Sequence, residues 1–336
     1  MAKTNTNTNV ESTNNGFKLK FFDNVTQSVK NVKNKKVVKK HDSFFIQLIW
    51  VTPAFFFLAL FTFFAAGIIF KNGFNGDGQY LVKWTASMVN FKNIINDRTF
   101  MIAMRNSALY VVVVVPVSMI ISIGVAKALS SIINKRIFSF LQGLFFLPYG
   151  TSAMAIAMAF SFMFSSNDGG LLNQILTGIG MDPIRWQNDP RFAIWVLLIF
   201  GIWRALPFNI IMLTAAFMRV NPQYYAAASI DGMNKTKQFW RISMPGITPM
   251  VVYLTTMGII QSFKAMPLGL FKSESAAEMV DSQTIVFWIY EKTTGASQGV
   301  VSYQKAGAAS ILLLIIILAI TILSRIATRM LAKRYK

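Results

Sequence analysis

The sequence predicts an all-α integral membrane protein of six spanning helices with both termini on the cytoplasmic side. Three observations carry this: an excess of apolar residues, their grouping into helix-length windows, and a one-sided distribution of charge. Of the 336 residues, 54% are hydrophobic, 14% are charged and 30 are Phe, and the mean hydropathy is +0.48. Soluble domains run about 45–50% apolar and about 25% charged. The net charge of +20 would suggest nucleic-acid binding in a soluble chain; in this chain it has to be weighed against the apolar windows. With no Cys, disulfide frameworks, thiolate metal sites and Cys nucleophiles are excluded, and the lone His41 cannot build a His-rich metal site.

A spanning helix needs about 20 apolar residues. The first window, Phe44–Phe70, is free of charge; it is too long for a signal-peptide core and follows residues 1–43, so it is expected to be a retained span. The second covers Ser107–Leu129, with Lys127 at its inner end, and the third Phe140–Phe164. The fourth, Phe192–Phe217, is interrupted only by Arg204. The fifth, Ile247–Phe263, is weaker and could extend to Phe271; the sixth, Ala306–Leu323, is the cleanest. None alternates with period two, so a barrel is excluded and helices remain. Pro53, Pro116, Pro148, Pro207 and Pro249 lie in or near spans, where neighbouring helices or water can satisfy the freed backbone.

Charge fixes the expected orientation. The tail 1–43, the loops after spans two and four and the C-terminal end hold 21 Lys+Arg against four acids, a net +17. The other three loops hold 11 basic residues and nine acids, a net +2. Lys and Arg are retained in the cytoplasm, so the first set is expected to be cytoplasmic. Residues 1–16 are Asn/Thr-rich, and Lys18, Lys20, Lys30, Lys33, Lys35, Lys36, Lys39 and Lys40 follow. This basic tail suits a topological anchor that touches anionic lipid. The expected division is a tail 1–43, a six-span domain 44–328 and a basic end 329–336.

One cytoplasmic loop, residues 218–245, is longer than a connector needs. Asn221-Pro222 marks a helix start, Tyr224–Ile230 with three consecutive Ala favours helix, and Asp231-Gly232 ends it. A second helix is expected over Lys235–Ile242, with Pro245 and Pro249 leading back into the membrane. The small residues suit docking into a groove on another protein.

These residues resemble the EAA loop of ABC-importer permeases, with its pattern E-A-A-x3-G-x9-I-x-L-P. Ala227 and Ala228 match the paired Ala, Gly232 the Gly, Ile242 the Ile and Pro245 the Pro, with Asp231 ahead of the Gly as in the carbohydrate branch. Ala226 stands in place of the Glu and Met244 in place of the Leu. Phe145–Tyr149, Gly169–Asn173, Trp186 with Asp189-Pro190, and Ile202–Arg204 with Pro207-Phe208 resemble further stretches of the MalF-type sugar permeases over about residues 44–330.

The resemblance implies a MetI-like permease fold in a bacterial inner membrane. It also implies that the 218–245 loop docks an ATPase, with two ATPase subunits in all, a second, MalG-type permease and an extracytoplasmic solute-binding protein. No G-x-x-x-x-G-K-[ST] occurs in the chain, so the chain is expected to hold no cofactor of its own. ATP and Mg would be bound by the partner ATPase. Transport would be alternating access for a sugar or oligosaccharide, with a glycerol phosphate or phosphodiester as the alternative substrate.

Within the spans, Arg204 is the sharpest candidate. A guanidinium at mid-span costs about 2.5–3.5 kcal/mol on insertion scales and usually faces a cavity or partner. It could bind substrate hydroxyls or phosphate, pair with the second permease, or satisfy backbone carbonyls. Trp203 and Phe208 could face a sugar ring; Asn209, Gln261 and Lys264 complete the candidate pathway. A secondary carrier would need coupling acids inside the spans, and an intramembrane protease a Ser–His or paired-Asp site; neither pattern is present.

Overall fold

The computed structural model describes residues 44–76, 85–167, 169–271, 274–295 and 301–334. The basic tail with His41, and Lys272 and Ser273 of the loop after span five, lie outside the described residues. Among these residues there is no strand, only one isolated bridge between Asn75 and Ala86.

Five helices are long and apolar enough to cross a membrane: Phe45–Gly73, Arg98–Ser130, Pro190–Met218, Lys235–Phe263 and Tyr303–Ile326. The first comprises α1 (Phe44–Leu58), a π-helical stretch Ala59–Phe64 and α2 (Ala65–Gly73). In the α1 to π-helical unit, Phe57 and Phe61 stack with ring centroids 6.2 Å apart. Short α3 (Val89–Ile95) precedes α4 (Arg98–Ser130), which starts well before the apolar window because Asp97 caps it, accepting from the Thr99 amide at 3.0 Å.

The third window is not one helix. It is split into α5 (Lys135–Gly150) and α6 (Ala153–Met163), which meet at 94°. Pro148 removes a backbone donor, and the chain turns extended at Thr151, whose hydroxyl donates to the Pro148 carbonyl at 2.9 Å. After α7 (Leu171–Gly178) come α8 (Pro190–Met218) and α9 (Pro222–Ile230). The fifth span begins earlier than its apolar window: α10 (Lys235–Gln238) runs through a π-helical turn Phe239–Ser243 into α11 (Met244–Phe263). The second helix of the 218–245 loop is therefore the first turns of the span itself, and α11 stops at Phe263, short of Phe271. Helices α12 (Glu274–Met279) and α13 (Ile285–Thr294) lie in the next loop, and α14 (Tyr303–Arg334) runs past Leu323.

The loops after spans one, three and five gather at one end. Trp288 Nε1 donates to Thr99 Oγ1 at 2.8 Å, and Lys305 Nζ lies 3.4 Å from Asp97 Oδ2. Burial opposes the charge of Asp97, but the Thr99 hydroxyl, the Lys305 ammonium and the Thr99 amide outweigh it and hold the carboxyl below its usual range. Asn106 Nδ2 donates to the carbonyls of Asp281 and Gln283, and Gln187 Nε2 to that of Leu270 at 3.2 Å. Helix α4 leaves this end at Asp97, and the chain is back there by Gln187. The bent pair α5–α6 therefore brings the chain back across as one broken span. Aromatic contacts trace its climb along α8: Tyr149 stacks on Phe208 at 5.6 Å, Phe160 meets Trp203 at 5.3 Å and Phe200 at 5.4 Å, and Phe164 meets Trp186.

Close backbone approach locks α2 to α14. A Cβ on Gly307 would lie 2.7 Å from the Gly73 amide nitrogen and 2.9 Å from the Ile69 carbonyl oxygen. Glycine at such crossings lets helices pack by their backbones, the usual means where lipid supplies no hydrophobic drive.

Candidate coupling site

At the opposite end, the 218–245 loop forms a compact unit. Asn221 caps α9 by accepting from the Gln223 amide at 2.9 Å, with Pro222 in the first helical position. The helix ends in a Schellman motif: the Met233 amide donates to the Ala228 carbonyl and the Gly232 amide to that of Ser229. This geometry needs a left-handed residue, and Gly232 has φ +71°. The Ala–Ala–x3–Gly spacing is thus the length of helix from the first buried turn to its stop.

Buried Gln238 ties the two helices, its Nε2 donating to Ser229 Oγ at 3.0 Å and to the Met233 carbonyl at 2.9 Å. Behind α9, Tyr225 Oη lies 2.8 Å from Ser243 Oγ, and Lys127 Nζ sits 5.1 Å from the Tyr225 ring centroid. A cavity of about 690 Å³ opens beside α9. Five of the candidates, Ala227, Ala228, Asp231, Ile242 and Pro245, line it together with Arg219 and Arg241. Ala226 is exposed on α9 and Gly232 on the turn, away from that lining. Alongside them, Tyr224 and Trp240 are exposed, and Ile230 is 87% exposed.

The pathway candidates divide into two groups. On α8, Trp203 faces Phe160 and Phe208 faces Tyr149, both on the broken span. Arg204 is half-buried one turn after Gly201, whose missing side chain leaves room for the Tyr110 ring of α4. No carboxylate lies within 4 Å of Arg204 among the described residues. Asn209 is half-buried five residues further on. Gln261 and Lys264, at the far end of α11, are exposed. No hydrogen bond, ion pair or ring contact among the described residues joins these last two to the α8 group.

Sequence reasoning missed Lys127, Tyr225, Gln238 and Ser243. Only Lys127 stood out, as a charge at a span end. The partners of the other three come from other elements, which no local pattern announces.

Residues 119–336 match the family described as binding-protein-dependent transport system inner membrane component. The chain is 32% identical over 271 residues to the probable ABC transporter permease protein MG188 of Mycoplasma genitalium, spanning 79% of each. It is 29% identical over 235 residues to the arabinooligosaccharides transport system permease protein AraP of Halalkalibacterium halodurans, spanning 69% of this chain and 72% of that protein. A crystal structure of a bacterial ABC transporter involved in the import of the acidic polysaccharide alginate shares the fold. Its TM-score is 0.70, over 85% of this chain and 95% of that one, at 19% identity.

Proposed function

Since the chain belongs to the family of binding-protein-dependent transport system inner membrane components, we propose that it is the permease subunit of an ATP-driven importer of a sugar or oligosaccharide. The observation that carries this reading is the 218–245 unit: a capped helix on which Tyr224, Ala226, Ala227 and Ile230 are exposed, with exposed Trp240 on the turn that follows. Three large apolar or aromatic side chains exposed together on one short unit, Tyr224, Ile230 and Trp240, suit a surface that a protein partner covers. Two ATPase subunits supply it, one docking here and one on a second permease of the same kind.

An extracytoplasmic binding protein delivers the sugar to the other end, so the termini and the 218–245 loop face the cytoplasm, in keeping with the net +17. Closure of the ATPases around ATP rocks the spans and opens the central route alternately to each side. Arg204 and Asn209 offer hydrogen-bonding groups along that route, and Trp203 and Phe208 aromatic faces. The relatives named for sugars and oligosaccharides favour a saccharide over a glycerol phosphate.

The test is reconstitution with the ATPase, second permease and binding protein of the same system. ATP hydrolysis should rise with arabino-oligosaccharides or another oligosaccharide and not with glycerol phosphate. Stimulation by glycerol phosphate alone would overturn the sugar assignment, and uptake by this chain without any ATPase would overturn the importer reading. Ile230→Asp should abolish ATPase co-purification while leaving the membrane domain folded. Gly232→Trp is a less clean probe, because any side chain at φ +71° also strains the turn.

A further inference from the structure

A coupling helix has to hand its movement to the spans through whatever touches its inner side. On α9 the outward residues, Tyr224 and Ala226, flank a residue that does the reverse. Tyr225 is half-buried, and its side chain reaches two other elements. Its hydroxyl lies 2.8 Å from that of Ser243, which is fully buried at the end of the π-helical turn of span five. Its ring lies under the ammonium of Lys127, in the last turn of span two, at 5.1 Å. The same ammonium is 5.5 Å from the ring of Phe217, in the last turn of span four. By hydrogen bonds the rest of α9 and its turn is tied to itself, through Gln238 to Ser229 and Met233 and through the Schellman turn, while Val220 and Phe239 near the loop's two ends pack on the span core.

The two contacts differ in kind. A hydroxyl pair is directional and reports small displacements, whereas a cation over a ring tolerates sliding but resists separation. The Ser243 end falls on a π-helical turn, a winding irregularity of the sort often found at functional sites. A shift of α9 would therefore pull on span five where its winding is least regular, and drag spans two and four through Lys127.

We propose that Tyr225 is the positioning residue that transmits movement of the coupling helix to the spans, its hydroxyl acting on Ser243 and its ring on Lys127. This rests on reading residues 218–245 as the ATPase-docking unit. The chain has no Cys, so labels can be placed at will. Ile179→Cys and Met279→Cys, both exposed and in different loops of the far end, report its opening when spin-labelled in the full transporter.

With the parent chain, a non-hydrolysable ATP analogue should shift the label-to-label distance. In Tyr225→Ala and Lys127→Met the ATPase should still co-purify and still bind the analogue, while the shift falls to less than half. Tyr225→Phe and Ser243→Ala should lose part of it equally, with the double variant no worse than either, and Lys127→Arg should restore it. A full shift in Tyr225→Ala overturns the proposal. So does loss of the ATPase from that variant, which would make Tyr225 a docking residue. Failure of the docking reading looks different: the ATPase would stay bound in Ile230→Asp, or the parent complex would show no shift.

Discussion

The indole Nε1 of Trp186 donates to Oδ1 of Asn173 at 2.9 Å. The same oxygen accepts from the Ile184 amide at 3.0 Å, and the Asn173 amide group donates to the Ile184, Ser165 and Asn167 carbonyls. Two stretches that look independent in the sequence, Gly169–Asn173 and Trp186–Pro190, are one hydrogen-bonded knot around a fully buried Asn. Removing a partner from a buried polar group costs about 1–3 kcal/mol. Asn173→Ala should therefore lower the thermal unfolding temperature of the detergent-solubilised protein clearly more than Trp186→Phe, which removes one donor. Equal losses would mean that packing of the indole, and not the hydrogen bonds, holds the loop.

What the sequence conveys and what it hides divide along physical lines. Hydropathy averaged over a span found the five spanning-length helices and the bent pair, because burial in lipid depends on composition. It could not see that Pro148 and Thr151 turn the third window by 94°, since an angle depends on which backbone groups lose their partners. Gly232 was legible because a helix followed by Asp-Gly needs a left-handed residue to stop. The role of Tyr225 was not, because Lys127 and Ser243 reach it from other helices. The buried α13, with Trp288 fully enclosed, was hidden for the same reason: its apolar residues serve a core formed with α4 and α14, not a membrane.

The topology can be checked at three exposed positions. Ile133, 97% exposed, follows α4, while Gly180 and Met279 lie in loops at the far end; Met279 is 80% exposed. Reporters inserted after Ile133 should read cytoplasmic, and after Gly180 or Met279 extracytoplasmic. Were α5–α6 a re-entrant loop, Ile133 and Gly180 would read the same side. Met279 is a better site than the fully buried Ile285, where an insertion would break the core.

The α2–α14 crossing is sensitive to single methyl groups. Gly73 and Gly307 face each other, and a Cβ on Gly73 would come within 2.6 Å of Ile311 Cδ1. Overpacking of this kind costs about 1–3 kcal/mol. At Gly307 the obstacles are backbone atoms that cannot rotate away, whereas at Gly73 the nearest is the end of a flexible side chain. Gly307→Ala should thus lower the unfolding temperature more than Gly73→Ala; Ile311→Val should rescue only the latter, and only in part, because a Cβ on Gly73 also meets the Ala308 nitrogen and Gly307 carbonyl carbon at 3.0 Å. Neutral behaviour of both would show that the two helices separate easily.

Arg204 distinguishes a transport role from a structural one. Gly201 lets the Tyr110 ring rest on the backbone of α8, so a Cβ there would collide with the Tyr110 hydroxyl, and Arg204 follows one turn later on the same side. The guanidinium therefore stands beside the α4–α8 contact, half-buried, with no carboxylate within 4 Å among the described residues. A charge left in such a place is costly unless a ligand or water shares it. If it serves sugar hydroxyls in the route, Arg204→Leu should cut uptake at least about tenfold, equivalent to about 1.4 kcal/mol. Assembly with the ATPase and the unfolding temperature should be unchanged or raised, because a buried charge has been removed. Arg204→Lys should recover only part of the uptake, since an ammonium cannot reproduce the planar, forked donors. The opposite pattern, lost assembly and a lower unfolding temperature with uptake per assembled complex intact, would assign Arg204 to the packing of α4 on α8. Gly201→Ala is the control: it disturbs that packing without touching the charge, so its uptake per assembled complex should stay near that of the parent.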